Sequence, residues 1–84
     1  MQAEFEKAQQ KIKTAQPFKP VNNYVKLDFY SLFKQTTIGN VNIERPGFFD
    51  FEGKAKWDAW KSREGMSKDD AMFNYIKLTQ KYYN

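Results

Sequence analysis

Between Ala3 and Gln16 the apolar residues Phe5, Ala8, Ile12 and Ala15 recur at three- and four-residue steps, which lays a narrow stripe along one face of a helix. Pro17 and Pro20 interrupt any helical run, and Asn22 or Asn23 can cap a second helix from about Asn23 to Thr37. The stretch from Gly39 to Asp50 carries Gly39, Pro46 and Gly47 with little helical period, so it reads as a connection. Asp50 is placed to cap a third helix that ends near Glu64, with Gly65 supplying a left-handed stop. Ser67-Lys68-Asp69-Asp70 resembles a capping box and opens a fourth helix, which carries Ala71, Met72, Tyr75, Ile76, Thr79, Tyr82 and Tyr83 on one broad face. The pattern predicts an all-α fold, a four-helix bundle in one domain over residues 1–84. The long connection lets the second and third helices run parallel, whereas the shorter links should join antiparallel neighbours.

The second helix has more apolar surface than one core needs. On a wheel of 100° per residue, Val25, Phe29, Leu32 and Thr36 fall on one side, and Leu27, Tyr30 and Phe33 on another. Lys34 joins the second group, and an unpaired ammonium is costly to bury, so this face fits the wall of a pocket that receives an anion. The same face equally fits rings packed beneath a loop while Lys34 reaches water. On the third helix Gly53, Trp57 and Trp60 cluster, with Lys56 beside Trp60, and the two indoles are best read as core. Lys13 beside the Phe5/Ile12 stripe and Tyr75 within the fourth helix have plain readings, a solvated lysine and a core tyrosine.

Composition narrows the chemistry. The 84 residues are 40% hydrophobic and 29% charged, and a chain of this size buries only roughly 60–65% of its unfolded surface. Aromatics at 18% are more than a plain bundle requires. No cysteine is present, so disulfides and thiolate metal sites are excluded, and the absence of histidine removes the usual general base near neutral pH. No apolar run approaches a bilayer span and the first residues lack the apolar stretch of a secretory signal, so a cytoplasmic address is expected. The net charge of +4 favours anionic partners. No Gly-rich phosphate loop occurs, so phosphate would have to be held by lysines, tyrosine hydroxyls and helix ends. Asp69 and Asp70 are explained by the start of the fourth helix, and no catalytic constellation is found. Two rival readings are a basic-aromatic nucleic-acid module, for which the charge is too modest and too mixed, and a bundle whose second aromatic face docks a partner helix.

Tyr30-Ser-Leu-Phe-Lys-Gln-Thr-Thr-Ile-Gly39, then Asn42 and Arg45-Pro46-Gly47, then Gly53-Lys-Ala-Lys-Trp-Asp-Ala-Trp60 form an ordered series that resembles the acyl-CoA-binding protein family. The similarity runs from Ala3-Glu4-Phe5 through Ser67-Lys68-Asp69-Asp70-Ala71 to Tyr75-Ile76. The resemblance implies an up-down-down-up four-helix bundle that carries long-chain acyl-CoA as a monomer, with no cofactor, no catalysis and no nucleic-acid partner. It leaves room for transient contact with membranes or acyl-CoA-using enzymes. Carried over by position, it implies that Tyr30 and Lys34, Lys56, Lys13 and Tyr75 hold the ligand, with Leu27 and Phe33 beside them. Three departures stand out: Phe33 lacks the hydroxyl of the tyrosine often found there, Glu52 replaces a lysine of some relatives and would repel phosphate if it faced the site, and Asn40 replaces a common aspartate with little expected effect on binding. The link from the first to the second helix also looks altered in length.

Overall fold

Three side chains mark where helices begin. Asn22 Oδ1 accepts from the Val25 N–H at 2.9 Å, Asp50 Oδ1 from Gly53 N–H at 2.9 Å, and Ser67 Oγ from Asp70 N–H at 3.0 Å. Each satisfies a donor that the first turn of a helix leaves free. The computed structural model describes residues 1–83, and among them the helices are α1 (Gln2–Thr14), α2 (Asn23–Thr37), α3 (Phe51–Lys61) and α4 (Lys68–Tyr82).

Three helix ends differ from the sequence expectation, and at the last of them α4 stops at Tyr82, with Tyr83 already extended. Helix α1 stops at Thr14 instead of Gln16, because Ala15 is already extended (φ −109°, ψ 156°) ahead of a proline that disfavours helical backbone at Gln16. Helix α3 stops at Lys61, short of Glu64. The residues that follow continue as tight turns, with Arg63 N–H on Trp60 O and Glu64 N–H on Lys61 O, until Gly65 at φ 89° reverses the chain.

Helix α2 is the hub, packing against both α3 and α4, while α1 packs on α4. Directions follow from pairs of residues. Phe18 N–H donates to Tyr82 O at 2.8 Å, bringing the C-terminal ends of α1 and α4 together, whereas Gln35 near the end of α2 reaches Met66 O just before α4. Tyr30 meets Lys56 and Lys34 meets Trp60, so α2 and α3 run parallel. The order is therefore up-down-down-up, as expected. The core consists of Phe5, Ala8, Leu32, Ala71 and Tyr75, with Ile12, Phe29, Phe33 and Ile76 among the side chains packed on it.

The long connection, residues 38–50, is held down by side chains far along the chain. Trp60, only 2% exposed, donates from Nε1 to Gly39 O at 2.7 Å, and Trp57, half-buried, donates from Nε1 to Ile43 O at 2.8 Å. Arg45 forks onto both carboxylate oxygens of Asp58 at 2.9 Å. Asn40 Oδ1 accepts from Gln35 Nε2 and from Gly65 N–H, so it fastens the connection to the α3–α4 turn. Buried Ser31 and Gln35 give α2 a polar buried face that the wheel did not show.

Candidate functional site

Because α2 and α3 run parallel, every third or fourth residue of one meets the other, and the seam between them opens into a cleft. It has a volume of about 500 Å³, and its walls include Leu27 and Tyr30 from α2 and Phe51, Glu52, Ala55 and Lys56 from α3. A second cleft of about 630 Å³ opens between α1, the α1–α2 link, α2 and α4. Five aromatic rings line it, those of Phe29, Tyr30, Phe33, Tyr75 and Tyr83. The two clefts share Lys26 and Tyr30, so the Tyr30 ring is the partition between them.

Positive charge gathers on that partition. Lys34 Nζ lies 6.0 Å from the centroid of the Tyr30 ring and 5.3 Å from that of Trp60, and Lys56 Nζ lies 5.6 Å from the Tyr30 centroid. An aromatic face attracts a cation, which helps hold two ammonium groups close together despite their repulsion. Lys34 has no carboxylate partner among the described residues, whereas Lys56 Nζ pairs with Glu52 Oε1 at 3.1 Å. Glu52 thus faces the α2–α3 cleft, the placement in which it would oppose an anion.

Tyr75 is a core residue and a cleft residue at once. Its ring meets Phe5 edge-on at 5.0 Å and Phe29 edge-on at 5.4 Å, and it is 6% exposed. Burial, with a smaller contribution from Tyr83, pushes its hydroxyl up to about 12, so it stays a protonated donor at neutral pH. Phe33 lies in the aromatic cleft, stacked on Phe5 at 6.3 Å.

The structure thus gathers Leu27, Tyr30, Phe33, Lys56 and Tyr75 around one divided opening, while Lys34 lines neither cleft itself and sits beside the opening near the Tyr30 and Trp60 rings. It does not bring Lys13 there: this lysine is exposed in the last turn of α1 and lines neither cleft, though its neighbour Ile12 does. Sequence reading missed Lys26 and the cleft roles of Phe29 and Tyr83. The wheel put Phe29 with the core stripe, on which it packs, and the sequence pattern placed Tyr83 on the face of the fourth helix, whereas Tyr83 is the extended residue that ends it; both rings also border open space. Lys26 carried no signal, because its position depends on how α3 sits against α2.

A small helical bundle with an aromatic cleft, an adjoining cleft of mixed apolar and charged walls, and cations beside the ring that divides them is a binding protein for an amphiphilic anion. Residues 2–79 match the family model for acyl CoA binding protein, and the chain belongs to that family. It is 45% identical over 83 residues to an acyl-CoA-binding protein of Gossypium hirsutum, covering 99% of this chain and 91% of that one. It is 47% identical over 76 residues to acyl-CoA-binding domain-containing protein 3 of Oryza sativa subsp. japonica, covering 90% of this chain but only 48% of that longer protein. The crystal structure of Oryza sativa acyl-CoA-binding protein 2 superposes with a TM-score of 0.87 at 44% identity, over 95% of this chain and 87% of that one. That of an acyl-CoA-binding protein from Moniliophthora perniciosa gives 0.83 at 46% identity, over 93% and 76%.

Proposed function

We propose that this chain is a single acyl-CoA-binding domain that carries long-chain acyl-CoA esters as a cytoplasmic monomer and performs no chemistry on them. The observation that carries the reading is the convergence of Lys34 and Lys56 on the Tyr30 ring, at the junction of two clefts of different character. A nucleotide base suits the ring-lined cleft, where flat aromatic faces can stack on it. The phosphates suit the junction, and the acyl chain suits the walls built by Leu27, Phe51 and Ala55.

Charge-assisted hydrogen bonds from Lys34 and Lys56 would contribute ~1.5–3 kcal/mol each. Each methylene taken from water adds up to ~0.8 kcal/mol, so a long-chain ester should bind far more tightly than CoA alone. Lys13, outside both clefts, would act only through its field. The sequence offers no histidine to activate water, which favours a thioester that survives binding.

The test is calorimetry with a long-chain acyl-CoA, CoA and the matching fatty acid, repeated on Lys34→Ala. Binding that requires both halves of the ligand and weakens in the variant supports the reading. Equal affinity for all three ligands overturns it.

A further inference from the structure

The turn that leads into α3 is built against the usual rule for turns. Asp50 N–H donates to Gly47 O at 3.0 Å, closing Gly47-Phe48-Phe49-Asp50 so that two phenylalanines occupy the central positions, where polar residues or glycine are common. Phe48 is 74% and Phe49 84% exposed, and Phe51, one residue into α3, is 69% exposed. The Phe48 and Phe49 rings stand edge-on at 5.1 Å with an interplanar angle of 89°. The Phe48 and Phe49 rings protrude and line neither cleft.

The tip is held in place as well as displayed. Lys54 Nζ donates to Phe48 O at 2.8 Å and lies 4.9 Å from the centroids of both Phe48 and Phe51, and Asp50 caps the helix behind them. An ammonium at the base of protruding rings is the arrangement that places apolar groups below a phospholipid headgroup layer and the cation among its phosphates. The net charge of +4 adds attraction to an anionic surface. Phe51 also walls the α2–α3 cleft, so the patch sits at the cleft's mouth.

We propose that Phe48 and Phe49, with Lys54 against Phe48 and Phe51, insert into the interfacial layer of a phospholipid bilayer and dock the mouth of the α2–α3 cleft against it. A protein partner would need a matching hollow for two perpendicular rings, whereas a bilayer accommodates protruding rings of any shape. The docking stands on the turn alone; its consequence, loading of acyl-CoA directly from the membrane, rests on the function proposed above.

The experiment uses the full chain and ligand-free vesicles of phosphatidylcholine with phosphatidylserine, in a co-sedimentation assay. Phe48→Ser/Phe49→Ser should lower the fraction bound by roughly tenfold or more, since each ring contributes through the apolar area it buries. Phe73→Ser, which removes an exposed ring from α4, should change it less than twofold by the same reasoning about position. Neither Phe48 nor Phe49 lines the clefts, so acyl-CoA affinity in solution should be retained while transfer from vesicles slows. Equal sedimentation of parent and double variant, or no sedimentation of the parent, overturns the docking. Retained docking without acyl-CoA binding would overturn only the proposed function.

Discussion

Lys56 Nζ lies 3.1 Å from Glu52 Oε1, so the cation proposed to meet phosphate is already engaged by a carboxylate on the same helix. Both groups are solvent-accessible, and such pairs are worth only ~0.2–1 kcal/mol. The ligand must nevertheless compete for Lys56 and approach a second negative charge. Glu52→Gln should therefore tighten acyl-CoA binding by roughly 2–5-fold, with a larger gain at low ionic strength. Glu52 also sits in the first turn of α3, where a negative charge favours the helix, so the variant should lose ~0.3–1 kcal/mol of stability. Calorimetry at two salt concentrations, beside urea unfolding, checks both signs.

Tyr30 separates the clefts and faces both lysines, and these roles depend on its ring rather than its hydroxyl. Tyr30→Phe should keep acyl-CoA affinity within a few-fold, whereas Tyr30→Leu should lose roughly tenfold or more through the missing stacking and cation–π surface. The side chain is only half-buried, so unfolding midpoints should move little in either variant. Similar affinities for the two variants in a fluorescence titration would show that the ring face is not what the ligand meets.

Gln35 is 1% exposed, and its Nε2 donates to Asn40 Oδ1 at 2.9 Å and to Met66 O at 2.8 Å. It ties α2, the long connection and the entry to α4 together. Gln35→Ala should destabilise the bundle by about 1–3 kcal/mol, because the Met66 carbonyl loses its donor and a gap opens. Gln35 lines neither cleft, so acyl-CoA affinity measured well below the unfolding transition should stay within about twofold of the parent, as expected for a site it does not touch.

The helix starts were legible because capping is local: Asn22, Asp50 and Ser67 act on donors three residues away. The polar buried face of α2 was not, since Ser31 and Gln35 owe their burial to Arg63, Asn40 and Met66, whose approach depends on the whole packing. The expectation that Asn40 matters little for binding said nothing of its structural part, where it accepts from both Gln35 and Gly65. Similar logic divides the site. Leu27, Tyr30, Phe33 and Lys34 stood out as a second face on one helix, and the family resemblance gave binding roles to Lys56, Lys13 and Tyr75. Neither source revealed Lys26 between the clefts or kept Lys13 out of them, because those positions are set by how α3 and α1 lie against α2 and α4.

Tyr75 links stability to pH in a defined direction. The folded chain holds its phenolic proton up to about 12, chiefly through burial, against about 10 for an ordinary tyrosine. Between those values the unfolded state binds fewer protons than the folded one, so stability falls as pH rises through the window, and Tyr75 adds no slope below it. The expected slope is ~1.4 kcal/mol per pH unit across the window. Tyr75→Phe keeps the ring against Phe5 and Phe29 but has no proton to lose, so its stability should decline less steeply at high pH. Lysine deprotonation acts on both proteins and cancels in the difference between them. Urea unfolding of parent and variant at neutral pH and at about pH 11 measures that difference, and parallel decline would show that the Tyr75 hydroxyl ionises as freely in the folded chain as in the unfolded one.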